Sequence, residues 1–283
     1  MNLEISYVKP KTVIEVGKIL FANSNARIIA GGTDLIVKWK NGLFPELSHF
    51  VDLSTLGYNK IELGAGKIRI GSMCTMRQIS ENRCLQEWFP TLCSAASQVG
   101  APQIRETATL GGNSANASPA GDTIPALMSL EARVIISGIN GYKSVEIDRF
   151  FKGPGKTTLE EGDFIEAFEL SERKTMGRFM KLGERRAHAI SKVSAAVSTW
   201  DDESESKKFG IALGAVAPTV IRAREAEDFL VGKPLPLAPD CVDKAATMAA
   251  ECVSPIDDIR STATYRKKMV KVLVSRILSE LGL

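Results

Sequence analysis

Two stretches of the chain set glycine pairs beside hydroxyl and amide side chains. The first runs Arg27-Ile28-Ile29-Ala30-Gly31-Gly32-Thr33-Asp34-Leu35. The apolar run before it reads as a short buried strand and the residues after it as a helix, so Gly31-Gly32 falls at a strand-to-helix turn. A turn of this kind leaves backbone N–H groups unpaired at a helix N-terminus, where they and the helix dipole attract an anion such as a phosphate. Thr33 adds a hydroxyl donor at the same rim. A single Gly-Gly step is equally well explained as a corner in the chain, because glycine accepts backbone that other residues resist. The second stretch repeats the device. Ala108, Thr109, Gly111, Gly112 and Asn113 are followed by Ala115, Asn116, Ser118, Gly121 and Asp122. Small residues let a ligand lie against the backbone, Asn and Ser supply neutral hydrogen bonds, and Asp122 suits ribose or ribityl hydroxyls as an acceptor. Two such turns suit a diphosphate held between two subdomains. A long turn-rich loop without a ligand is the plain alternative.

Other chemistries find little support. No G-x-G-x-x-G follows the first strand, which disfavours a Rossmann dinucleotide site. "GPGKTT" at 153–158 ends like a P-loop, but the first glycine of that motif would fall on Phe150 and no clear helix follows; it reads as a loop. There is no G-x-S-x-G, and neither His49 nor His188 sits in a recognisable nucleophile motif, so no hydrolytic triad and no catalytic residue is named. His188 reads as a solvated loop residue. The five cysteines form no C-x-x-C pair and only two histidines exist, so no metal site is expected, and the scattered thiols suit a reducing cytoplasm. Lys and Arg total 36 against 33 Asp and Glu; the net charge of +3 is spread along the chain and gives no footprint for nucleic acid. No signal peptide is readable, and no run approaches the ~18 apolar residues of a membrane span, so a cytoplasmic protein without a membrane span is expected.

The elements that must position the two turns follow from periodicity. At 283 residues and 44% hydrophobic content, one to three domains are expected. "TVIEVGKILFANS" predicts a helix, "ARIIA" a strand, "DLIVKWKNGL" a helix with Leu35, Trp39 and Leu43 on one face, and "HFVDLST" a strand, together a small α/β unit with parallel strands. "KIELGAGKIRIGSMCTM" predicts a hairpin and "PTLCSAASQVG" a helix. Residues 108–123 are expected as loop, then "IPALMSL" as a short helix capped by Asp122 or Thr123 with Pro125 in its first turn. "ARVIISG" and "KSVEIDRFF" read as strands. The charged passage 171–179 predicts a domain boundary. Beyond it, "GRFMKLG", "AISKVSAAVSTW" and "KFGIALGAV" read as a small sheet, the last two strands flanking the turn "DDESESKK". "TVIRAREAEDFLVG", "PDCVDKAATMAAEC" and "STATYRKKMVKVLVSRILSELGL" read as helices, the last with a stripe of Tyr265, Met269, Val272, Leu273, Ile277 and Leu281. The fold class is α+β.

"AGGTDL" together with "IRETATLGGNSANASPAGD" resembles the two flavin-binding signatures of the FAD-binding (medium) subunit of molybdenum hydroxylases, the xanthine dehydrogenase and aerobic carbon monoxide dehydrogenase family. "FFKGPGKTTL" is similar to a third block of bacterial xanthine dehydrogenase FAD subunits, and "FMKLGERRAHAISKVSAAV" to the block that opens their C-terminal domain. The resemblance implies a vanillyl-alcohol-oxidase-type FAD-binding domain of two α/β subdomains, about 1–55 and 56–172, followed by a C-terminal α+β domain over 173–283. It implies FAD extended between the subdomains. Residues Arg27 to Leu35 would wrap the diphosphate, chiefly through Ala30, Gly31, Gly32 and Thr33. Ala108, Thr109, Gly112, Asn113, Ala115, Asn116, Gly121 and Asp122 would come from the second loop, with Ile165 and Lys181 approaching later; Lys181 is either a cation at the isoalloxazine end or a surface lysine on a strand. The resemblance further implies an electron-transfer role: partner iron–sulfur and molybdenum-cofactor subunits oxidise a purine or another N-heterocycle, and electrons leave through FAD to NAD or another acceptor. A stand-alone FAD-dependent oxidase or reductase and a non-enzymatic nucleotide-binding assembly protein are the alternatives.

Overall fold

The computed structural model describes residues 5–185, 189–202 and 206–282. His188 and the centre of the 201–208 turn, both noted above, lie outside the described residues. Strands Ser6–Val8 and Ala26–Ile29 flank His49–Asp52, and both run parallel to it. Parallel neighbours need crossovers. These are helix Val13–Ala22, where the Thr12 hydroxyl accepts from the Glu15 N–H, and helix Leu35–Lys40. The α/β unit is therefore as expected, with the additional strand at Ser6–Val8. Its small core holds Val16, Val51 and Leu53 and is completed by Phe164 from the next sheet. Leu43, expected on the inward face of its helix, is exposed.

The second layer is a five-stranded antiparallel sheet in the order Ile61–Gly64, Lys67–Gly71, Asp163–Ser171, Arg133–Gly138, Gly141–Glu146. Its central strand bulges at Glu166: Ile165 pairs with Ile136 and Ala167 with Ile135, so the residue between them has no partner in that ladder. The Glu166 carboxylate accepts from Arg69 and from the Ser137 hydroxyl. Between the second strand and Arg133 the chain makes six short helices, among them Pro90–Ser97, Pro102–Thr107, Leu110–Asn116 and Thr123–Ser129. The third of these corrects the expectation of a loop across 108–123. Gly, Asn and Ser are poor helix formers, but the Thr109 hydroxyl caps this helix and Leu110, Gly111 and Ser114 are buried in it.

The last sheet is antiparallel: Met176–Leu182, Val193–Asp201, Lys207–Gly214 and the edge Ile221–Arg222. Alternation along its strands divides its residues between two cores. Ala195, Val197, Ile211 and Leu213 face helices Arg224–Leu230, Pro239–Glu251 and Ala263–Glu280. Phe179, Ala196 and Ala212 join the core of the preceding layer. Both faces are covered, so every residue from Val193 to Trp200 is buried, and the Ser198 hydroxyl meets those of Ser129 and Thr91 in the interior. Three details differ from the sequence pattern. The strand at 141–146 ends at Glu146 and one helical turn, Ile147–Phe150, follows. Ile221–Arg222 forms an edge strand before its helix starts. Of the expected stripe in the terminal helix, Leu273, Ile277 and Leu281 are buried but Tyr265 is exposed, and Val270, Val274 and Leu278 are buried in addition. "GPGKTT" lies across a two-stranded ribbon, Phe151–Gly153 with Lys156–Thr157, which is no phosphate-loop geometry. All five cysteines are free thiols.

Candidate functional site

The two glycine turns meet. A Cβ on Gly31 would lie 1.9 Å from the Thr107 carbonyl oxygen, so the first turn presses directly on the backbone entering the second. A Cβ on Gly112 would stand 3.9 Å from the Ala30 Cβ, in the gap between them. Gly32 has φ +68°, where a side chain would be strained. Among the described residues, no group accepts from the backbone N–H of Gly31, Gly32, Thr33 or Asp34. These are the donors that a strand-to-helix turn leaves for a ligand.

The second turn is braced from behind. Leu110 N–H donates to the Cys74 carbonyl at 3.0 Å and Gly111 N–H to the Ser72 carbonyl at 2.8 Å. Burial pushes the Cys74 thiol up to about 11, so it stays protonated and structural. The Thr109 hydroxyl accepts from the Gly112 N–H at 3.1 Å. Thr109→Ala is expected to cost about 1 kcal/mol, the usual value of an N-cap. Chemical denaturation of the ligand-free chain checks this; an unchanged midpoint would mean the cap contributes nothing.

A seam runs between the turns. Its wide part, about 600 Å³, is walled by Arg27, Ile28, Asp34 and Leu35 on one side and by Ala115 and Asn116 on the other. Lys38 Nζ donates to the Asn116 Oδ1 and so links the two sides. The Arg27 guanidinium bonds the Ser24 and Ala26 carbonyls at 2.7 Å each and lies 5.5 Å from the Phe44 ring. The narrow part, about 90 Å³, is lined by Ile28, Ala30, Gly112, Ala115 and Ile165. Ile28, Ala115 and Leu159 line both parts, so the two adjoin. Ser72 and Met73 also line the narrow part, and sequence patterning gave no sign of them.

Other expected residues play supporting parts. Ile29 ends its strand, and Ala108 is the C-cap of helix Pro102–Thr107. Asn113 Oδ1 accepts from the Thr123 hydroxyl at 2.7 Å, and Gly121 N–H donates to the Ser118 carbonyl at 2.9 Å. Asp122 and Lys181 are brought together, but away from both parts of the seam. Lys181 Nζ lies 2.6 Å from Asp122 Oδ2 and also donates to the carbonyls of Gln98 (2.8 Å) and Ala189 (3.3 Å). Asp122 Oδ1 accepts from the Ser191 hydroxyl at 2.7 Å. Asp122 occupies the N-cap position of helix Thr123–Ser129 without a capping bond, because its carboxylate is turned to Lys181 and Ser191. Burial pushes its carboxyl up, against the opposing pull of the Lys181 ammonium and the Ser191 hydroxyl.

With this geometry in place, comparison with known proteins is decisive. Residues 3–171 match the model of the FAD binding domain in molybdopterin dehydrogenase, and 178–281 that of the CO dehydrogenase flavoprotein C-terminal domain. The chain belongs to the FAD-binding medium subunits of the molybdenum hydroxylase family. It is 30% identical to the xanthine dehydrogenase FAD-binding subunit of Escherichia coli O157:H7, across 97% of this chain and 95% of that one. It is 31% identical to the glyceraldehyde dehydrogenase medium chain of Sulfolobus acidocaldarius, across 99% of both. The solved reconstituted CO dehydrogenase from Oligotropha carboxidovorans superimposes with a TM-score of 0.90 at 28% identity, covering 97% of this subunit and 96% of that chain. FAD is the cofactor of this oxidoreductase subunit, and the seam fits it. The first turn borders it through Ala30 and Asp34 and keeps backbone N–H groups without a protein acceptor among the described residues, glycine stands at 112 where a Cβ would enter the gap, and a buried serine hydroxyl at 72 has no partner. Among the described residues, no three His, Cys, Asp or Glu side chains converge as a metal-ligand set, and no helix is long and apolar enough to cross a membrane.

Proposed function

We propose that this medium subunit carries electrons from partner iron–sulfur clusters to NAD or another soluble acceptor, in the cytoplasm, as one chain of a heteromeric molybdenum hydroxylase. The observation that carries the reading is the meeting of the two glycine turns beside two adjoining cavities. Bound FAD supplies the ability to exchange electrons singly or in pairs, which joins one-electron carriers to a two-electron acceptor. The chain's own residues bind and orient. The N–H groups of Gly31 to Asp34 hold the diphosphate. Thr109, as a cap, fixes the backbone of Gly111-Gly112 against it. Ile28 and Ile165 give the seam apolar walls. Lys181 is held rigid by Asp122 at the edge of the C-terminal sheet.

The remaining site residues enter on the same terms, as does the division into a FAD-binding domain over 1–172 and a C-terminal domain from 173. Relatives of near-equal identity are named for xanthine and for glyceraldehyde. In our reading the substrate, a purine or another N-heterocycle, is therefore selected on the molybdenum subunit. The purified chain is expected to show flavin absorbance and to release FAD on denaturation, and an iron–sulfur protein should co-purify from the native source. A colourless chain that fails to take up added FAD overturns the reading. A flavin-bearing chain that always runs alone overturns only the partners.

A further inference from the structure

Ser72 stands where strand Lys67–Gly71 ends, outside both glycine turns. Its backbone is fully engaged. The N–H donates to the Glu166 carbonyl at 2.9 Å, and the carbonyl accepts from the Gly111 N–H at 2.8 Å. Its side chain is not engaged: the residue is 3% exposed, yet its hydroxyl has no hydrogen-bond partner. Buried hydroxyls normally find one, and an unmade bond is costly to the fold.

The location supplies the reason. Ser72 lines the narrow part of the seam with Ala30 of the first turn and Gly111 and Gly112 of the second. It is the one polar side chain on that wall among the described residues; the others are Ile, Leu, Met, Phe, Ala or Gly. Gly111 can carry no side chain, because a Cβ there would fall 2.6 Å from the Ser72 Cβ. The serine is thus fixed by two backbone bonds and pressed against the second turn. A single hydroxyl in an apolar wall gives a ligand orientation, and the low local dielectric strengthens the bond it makes.

We propose that Ser72 is a third arm of the cradle, its hydroxyl donating a hydrogen bond to a diphosphate oxygen of FAD. This rests on the FAD reading above. It gives the substitution Ser72→Ala a signature of opposite signs. The ligand-free chain should melt at the same or a higher temperature, since an unsatisfied buried hydroxyl is removed. FAD affinity should fall by about tenfold, since a hydrogen bond to a charged acceptor is lost.

The test is calorimetric titration of the FAD-stripped full chain, with thermal melts and the ³¹P spectrum of bound FAD. Weaker binding by Ser72→Ala together with a shifted diphosphate resonance supports the proposal. Unchanged affinity overturns it, whichever way the melt moves, and so does an unmoved resonance. Should Ser72→Ala melt below the wild type, Ser72→Cys, of similar size and a poor donor, decides: full affinity there overturns the proposal, and reduced affinity supports it. A wild-type chain that binds no FAD overturns the functional reading itself, a result distinct from wild-type binding with an indifferent Ser72→Ala.

Discussion

Gly31→Ala is expected to destabilise the ligand-free chain by about 3 kcal/mol, the upper end of an ordinary overpacking cost, and to weaken FAD binding more than about tenfold. The new methyl carbon would sit 1.9 Å from the Thr107 carbonyl oxygen and 2.9 Å from the Ala108 nitrogen. Those are backbone atoms, and they cannot rotate away as a side chain does. Thr107 ends helix Pro102–Thr107, and Ala108 leads into the capping residue Thr109. Relief must therefore come from separating the two turns, which is the geometry on which the seam depends. Denaturant unfolding and FAD titration measure the two effects. Gly64→Ala is the control: nothing lies within 4 Å of its Cβ and its backbone is not left-handed, so a change within about 0.5 kcal/mol is expected. Equal behaviour of the two variants would mean that the turns do not touch as described.

Much of this site was legible because it is written in residue types. A Cβ at Gly31 would strike the Thr107 backbone and one at Gly111 the Ser72 Cβ, so each turn needs a glycine, and both stand out in a single sequence. Residues alone carried the reading as far as a diphosphate between two subdomains; the family resemblance supplied FAD. What stayed hidden depends on tertiary contact. Helix Leu110–Asn116 has the composition of a loop and becomes helical because Thr109 caps it and Ser72 braces Gly111. Asp122 has the composition of a cap, but a lysine from a distant strand takes its carboxylate. Ser72 follows an ordinary hairpin strand, and no spacing marks it. In the terminal helix Leu273, Ile277 and Leu281 mark the buried face, but Tyr265 suits either a core or a surface; the helix turns it outward and buries Val270 and Val274.

Lys181→Met is expected to cost about 3–5 kcal/mol at neutral pH, the range seen when a buried ion pair loses one partner. The Lys181 and Asp122 side chains are only 11% and 9% exposed, so solvent screens little of their attraction. Without the ammonium, Asp122 keeps the Ser191 hydroxyl alone as a partner in a buried site. The loss has a pH signature. Burial already holds the Asp122 carboxyl above its usual range, and removing the cation that opposes this raises it further. A carboxyl whose folded value exceeds its unfolded value, about 4, contributes stability that is complete below the unfolded value. That stability is lost as pH rises through the folded one. The deficit of Lys181→Met against wild type should therefore be small near pH 4 and grow toward neutrality. Adding Asp122→Asn to Lys181→Met should recover most of it, since no buried charge is then left without a partner. Denaturation of the three proteins across that pH range checks both points. A deficit that ignores pH and survives the second substitution would show that lost packing, not the ion pair, is what the lysine supplies. The consequence reaches the cofactor site, because Asp122 closes the stretch that begins at Thr109 while Lys181 lies on the C-terminal sheet. The pair is the clasp between the second glycine turn and that sheet, so FAD affinity should fall and recover in step with stability across the same three proteins.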